Sequence, residues 1–176
     1  MTSELILQDV FVPEANLLPN VSGLKGPLGC LSQARFGIAF GVVGAAMACF
    51  HAAAEYSKSR IMFGKPIGSF QMVQSEFADM LTEITKAQLL AIQLGRIKER
   101  GSVTPQQISM AKRNNCEIAL DVARRSRDIL GANGITAEYP VMRHMCNLES
   151  VKTYEGTHNI HTLVLGEAVT GLAAYR

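Results

Sequence analysis

Nineteen consecutive residues, 36–54 (FGIAFGVVGAAMACFHAAA), carry no formal charge. In a helix that length approaches a membrane span, and the run includes a GxxxG pair, Gly37 and Gly41. Its apolar content is Ala and Gly rather than Leu and Ile, it carries His51, and no second run of that length exists. A helix apolar on every side is also what the centre of a helical bundle requires. The run therefore predicts a buried helix with others packed around it, and no membrane insertion.

Length and composition agree with that centre. A chain of 176 residues suits one domain with a sizeable core. Net charge is +2, and Arg124, Arg125 and Arg127 fall at mixed helical angles, so no nucleic-acid footprint is expected. Cys30, Cys49, Cys116 and Cys146 form no CxxC pair, and the N-terminus does not resemble a signal peptide. Free thiols in a reducing, intracellular compartment are expected.

Residues 4–12 (ELILQDVFV) read as a β-strand, ended by Pro13 and followed by Pro- and Gly-rich breaks. A single strand cannot satisfy its own hydrogen bonds and needs a sheet that this chain lacks. Helical patterns follow at about 30–57 and from Ser69 to Gly101, the second with Phe70, Val73, Phe77, Met80, Leu81 and Ile84 at three- and four-residue steps. Thr104-Pro105 is an N-cap with proline at the first helical position, opening a third helix to Leu130. A short helix is predicted over 141–148 and a last one after residue 157. The predicted fold is all-α, an antiparallel four-helix bundle with a short N-terminal β-strand remnant.

The stretch 151–163 (VKTYEGTHNIHTL) gathers a carboxylate and two histidines. Glu155 and His158 spell ExxH, the spacing of a di-metal carboxylate bundle, but no second ExxH occurs, and Gly156 is a poor helix interior. No metal is expected. Thr157 instead reads as the N-cap of the last helix. Glu155 then stands outside a helix N-terminus, either as a dipole partner of that helix or as a general base.

Three ordered segments carry a resemblance. YSKSRIMFGKPIGSFQMVQSEFADM (56–80), RDILGANGITAEYPVMRHMCNLES (127–150) and TYEGTHNIHTLVLGEA (153–168) resemble the C-terminal helical domain of flavin-dependent acyl-CoA dehydrogenases. GPLGCLSQARFGIAFGVVGAA, KRNNCEIALDVAR and NLESVKTYEGTHNIH look most like the glutaryl-CoA dehydrogenase branch. The resemblance implies that Glu155 is the base that removes the α-proton of an acyl thioester, with hydride passing to FAD. It implies flavin contacts from Arg60, Phe63, Gln71, the segment Asp128, Ile129, Leu130, Gly131 and Ala132, Thr157 and Tyr175. Ala132 stands where relatives carry a glycine, and Asn159 where the nearest carry Asp. Tyr154 and Gly156 flank the substrate. Leu28, Gly29, Cys30, Leu31, Ser32, Gln33, Ala34 and Arg35 match the segment lining the acyl-CoA channel, Arg35 being the expected CoA-side contact.

By that resemblance residues 1–25 are the last strand and linker of a middle β-domain, and 26–176 the bundle. The complete enzyme would convert glutaryl-CoA to crotonyl-CoA, pass electrons to an electron-transfer flavoprotein and assemble as a homotetramer. It would work in the bacterial cytoplasm or the mitochondrial matrix, and residues 1–176 alone would be inactive. The competing expectations are a straight- or branched-chain acyl-CoA dehydrogenase and a non-catalytic helical oligomerisation module.

Overall fold

The computed structural model describes residues 3–174. Five helices follow one another: α1 (Lys25–Ser59), α2 (Gln71–Glu99), α3 (Pro105–Leu130), α4 (Val141–Thr153) and α5 (His158–Thr170). Between α1 and α2 lies a two-stranded antiparallel ladder, β1 (Ile61–Met62) and β2 (Lys65–Pro66), with Ile61 opposite Pro66.

Local chemistry sets the helix ends. Thr104 Oγ1 accepts from the Gln107 N–H (3.3 Å) while Gln107 Oε1 accepts from the Thr104 N–H (2.9 Å), a reciprocal cap with Pro105 at the first helical position. Thr157 caps α5 by accepting from the Ile160 N–H at 3.2 Å.

The first four helices alternate in direction. Lys98, near the end of α2, donates to Gln33 near the start of α1. Tyr56 and Asn133 join the far ends of α1 and α3 at 3.0 Å, and α4 returns so that Val151 meets Lys112 of α3. Helix α5 leans on the first half of α3, where Arg113 Nε donates to Thr162 at 2.8 Å.

Helix α3 touches all four others. Its buried stripe, including Cys116, Ala119, Leu120 and Ala123, meets Val42, Ala46, Cys49 and Ala53 of α1 and Met80 and Ile84 of α2, while Ile108 and Ala111 pack with Ala39 and Leu94. Alanines on both α1 and α3 let the two axes approach closely, which long side chains would prevent. Within this packing Asn115 is fully buried. Its Nδ2 donates to the Ala39 carbonyl (2.8 Å) and the Ala87 carbonyl (3.2 Å), while its Oδ1 accepts from Asn114. One side chain thereby fixes the axial register of three helices.

Three expectations change, at the ladder and at two helix ends. Residues 3–13, expected to need a sheet from outside this chain, pair with nothing here and are exposed, Leu5 and Phe11 at 87% and 86%. An alternating pattern supplies side chains for a sheet face but no partner for the backbone. The ladder at 61–66 falls between the first two predicted helices, where no strand is expected. Helix α1 starts at Lys25 rather than Cys30, because Pro27 falls in the first turn, where a missing N–H costs nothing. Helix α4 continues past 148 to Thr153.

Finally, α1 is long and apolar enough to cross a membrane by length and composition, yet only 33% of its most apolar window is buried in the bundle. Gly37, Phe40, Gly41 and Gly44 face outward, so burial on every side is not achieved within this chain.

Asn115→Leu should lower the unfolding free energy by about 1–3 kcal/mol, and Asn115→Asp by about 3 kcal/mol or more, since it sets a carboxylate oxygen against two carbonyls. Urea unfolding of the variants measures both.

Candidate active site

The α4–α5 connection is strained in a specific way. Glu155 adopts φ +58° and Gly156 φ +87°, two left-handed residues in succession. For a glutamate that conformation costs about 1–2 kcal/mol. At Gly156 only hydrogen fits: a Cβ would lie 2.9 Å from His161 Nε2 and 3.4 Å from Arg35 Nη2.

Donors from three helices hold this conformation. Arg35 Nε of α1 donates to the Glu155 carbonyl at 2.7 Å, and His161 Nε2 of α5 meets the same oxygen at 3.3 Å. From α3, Lys112 Nζ donates to the carbonyls of Val151 (2.9 Å), Tyr154 (3.0 Å) and Gly156 (2.9 Å). Lys112 and His161 are each only 1% exposed.

The electrostatics follow from that burial. Loss of hydration, then the charges of Lys112 and Arg35, push the His161 pKa down to about 4, so its imidazole is neutral at neutral pH. Donation to the Glu155 carbonyl assigns the proton to Nε2, in keeping with a buried Nδ1 that has no partner. Burial also lowers the Lys112 pKa. His158 pairs instead with Glu117 (3.4 Å), which also binds Lys152. No group of three or more metal-ligating side chains occurs among the described residues.

The Glu155 side chain is different. Its Oε2 is buried and has no hydrogen-bond partner among the described residues. A buried acceptor without a donor is costly, so such an atom marks a place where a partner is meant to come from elsewhere. Tyr154, beside it, is half-exposed rather than a core aromatic. A groove of about 260 Å³ between α1 and α4, lined by Ile38, Gly41, Ala45, His144, Asn147 and Tyr154, reaches the residue that precedes Glu155. A carboxylate with free lone pairs can take a proton from a bound carbon acid.

The remaining candidates separate into two places. Leu28, Gly29, Cys30, Leu31, Ser32, Gln33 and Ala34 occupy the first turns of α1, on the Glu155 side. Arg35, expected to face CoA, spends its Nε on the Glu155 loop. Thr157 also lies at this end. Arg60, Phe63, Gln71, Asp128, Ile129, Gly131 and Ala132 lie at the other end. The helical rise puts Arg60 about 37 Å along α1 from Arg35.

There Phe63, Gln71, Asp128 and Ile129 line one open groove of about 740 Å³. Phe63 sits in a two-residue hairpin turn with Gly64, both at positive φ (+53° and +78°), and its ring is 90% exposed. Leu130, in the same segment, is turned into the core by α3 at 1% exposure. Tyr175 lies outside the described residues.

Sequence reading missed Lys112. A lysine in KRNN reads as a solvated face, yet it lies four residues after Ile108 and four before Cys116, inside the apolar stripe. That register was the available signal.

Known proteins share this outline. The family model "Acyl-CoA dehydrogenase, C-terminal domain" matches residues 22–170. The short-chain specific acyl-CoA dehydrogenase of Megasphaera elsdenii is 36% identical over 169 residues, 96% of this chain and 44% of that protein. The crystal structure of glutaryl-CoA dehydrogenase from Mycobacterium smegmatis superposes with a TM-score of 0.92 at 52% identity, covering 94% of this chain and 43% of that one. A second M. smegmatis glutaryl-CoA dehydrogenase structure, in complex with FADH2, gives 0.88 at 49% identity over 90% and 41%. The chain spans under half the length of these relatives.

The buried neutral His161 makes stability pH-dependent. The unfolded chain binds the proton near pH 6.5 and the folded one only near 4, so stability is full above about 6.5 and declines as pH falls towards 4. His161→Gln, which keeps an N–H donor without titrating there, should remove up to about 3 kcal/mol of that decline. Urea unfolding at pH 7.5, 5.5 and 4.5 checks it.

Proposed function

The chain belongs to the acyl-CoA dehydrogenase family as its C-terminal domain, and we propose that it supplies the catalytic base for FAD-dependent oxidation of an acyl-CoA thioester, with glutaryl-CoA as substrate. The observation that carries the reading is the unpartnered Oε2 of Glu155 on a strained loop held by Arg35, Lys112 and His161.

The residues present fit a flavin. At the far end of the bundle an apolar groove presents the exposed ring of Phe63, the Gln71 and Asp128 side chains and, at its edge, the exposed Arg60, chemistry suited to an aromatic ring system and a diphosphate. When bound, FAD supplies the acceptor for the β-hydride of the substrate.

Every other part of the reading concerns the chain itself. Glu155 takes the α-proton onto its free carboxylate oxygen. Removing that proton is feasible when the thioester carbonyl is polarised, and the Gly156 N–H on the same loop is the proposed main-chain donor. Gly156 leaves room for the thioester against the backbone. Tyr154 and the Ile38–Ala45 face of α1 exclude water around the acyl chain, and in a dry site the charge on the carboxylate acts at greater strength.

Because the Arg60–Phe63–Gln71 cluster lies some 37 Å from Arg35 along α1, each end serves a different flavin, in an assembly of several copies. The outward apolar face of α1 and α2, with Phe40, Leu89 and Ile92 exposed, is the proposed contact in a homotetramer. Decarboxylation of the glutaryl group to crotonyl-CoA, electron delivery to an electron-transfer flavoprotein and a cytoplasmic or mitochondrial-matrix location complete the reading. A short-chain acyl-CoA is the second reading, supported by the similarity to the M. elsdenii enzyme.

Glu155→Gln keeps the shape of the side chain and removes the base. In the complete enzyme the variant should bind FAD as before, while bleaching of the flavin by acyl-CoA slows by about 1,000-fold or more. Bleaching at the native rate would show that another group is the base. Comparing glutaryl-CoA with butyryl-CoA by kcat/KM decides between the two substrates.

A further inference from the structure

We propose that Lys112 is the positioning residue of the Glu155 base: its ammonium, seated on the carbonyls of Val151, Tyr154 and Gly156, holds the α4–α5 connection in the conformation that presents the carboxylate. The proposal rests on Glu155 being the base.

A lysine ammonium has three N–H donors and no acceptor. All three donors of Lys112 find main-chain oxygens at 2.9–3.0 Å, so none remains for a substrate. Those oxygens bracket Glu155 on both sides: Val151 in the last turn of α4, Tyr154 immediately before the base and Gly156 immediately after it. The oxygen left over, that of Glu155 itself, is taken by Arg35 and His161. Each carbonyl from 154 to 156 thus has a charged or imidazole donor, and the Glu155 carboxylate is left unengaged at Oε2.

The placement is also electrostatic. Val151 and Tyr154 belong to the negative end of the α4 dipole, where a cation is favoured. Burying an ammonium costs several kcal/mol of hydration, and an apolar residue of similar length would fill the same stripe position without that cost. What an apolar residue cannot do is hold two successive left-handed residues by their flanking oxygens. Lys112 comes from α3, the helix that all the others touch, so the base is referenced to the most fixed element of the fold rather than to its own loop.

Two variants in the complete, FAD-loaded enzyme test this. Lys112→Arg keeps the charge, but a planar fork cannot converge on three oxygens. Lys112→Met keeps the length and removes every donor. Bleaching by acyl-CoA should slow by about 10-fold in the first and about 100-fold in the second, with flavin content and acyl-CoA Kd within about 3-fold of native. Amide hydrogen exchange at residues 154–157 should quicken by about 10-fold or more, while Ala46 and Ala119 in the core keep their native rates.

Native bleaching in both variants would overturn the proposal, as would exchange that quickens throughout the bundle. Failure of both variants to fold would overturn it too, since the role would then be one of folding. Glu155→Gln is measured in parallel. If that variant bleaches normally, the base assignment fails, while exchange at 154–157 still reports whether Lys112 holds the loop.

Discussion

Everything else in this bundle is placed relative to the Asn115 amide, whose two N–H groups reach carbonyls on α1 and α2. Apolar stripes can slide along one another by a turn at little cost, because Ala against Ala looks much the same in the next register. A buried amide cannot slide, since any shift strands its donors. With α1, α2 and α3 registered at this level, Lys112 lies one turn away and Arg35 one turn below Ala39. The two cations that hold the Glu155 loop therefore inherit their positions from a residue that never touches it.

Much of this was legible in the sequence, and physical locality explains which part. Helix starts depend on a few neighbouring atoms, so the strings Thr104-Pro105 and Thr157 are enough to announce their caps. Periodicity located three long helices. The segment 4–12 is the opposite case: a β-ladder is a relation between distant segments, and alternation in one of them does not supply the other, so no ladder forms there within this chain.

Lys112 and Asn115 failed to announce themselves because residue type argued one way and register the other. Type says solvent for a lysine next to an arginine; register, four residues from Ile108 and Cys116, says core. Register won, as it does when a buried polar group finds its full set of partners. The backbone torsions were less legible still. Nothing in YEGT or FG as strings reveals that Glu155 and Phe63 stand at positive φ, yet both bulky outliers fall at candidate functional positions.

The distance between the two ends of α1 has a genetic side. If each flavin draws its base from one copy and its groove from another, a lesion at Arg60 and a lesion at Glu155 are defects of different partners. A cell making both mutant chains would assemble some sites from the two intact halves. It would recover activity that neither allele supports alone, whereas two alleles damaged at the same end would remain silent together.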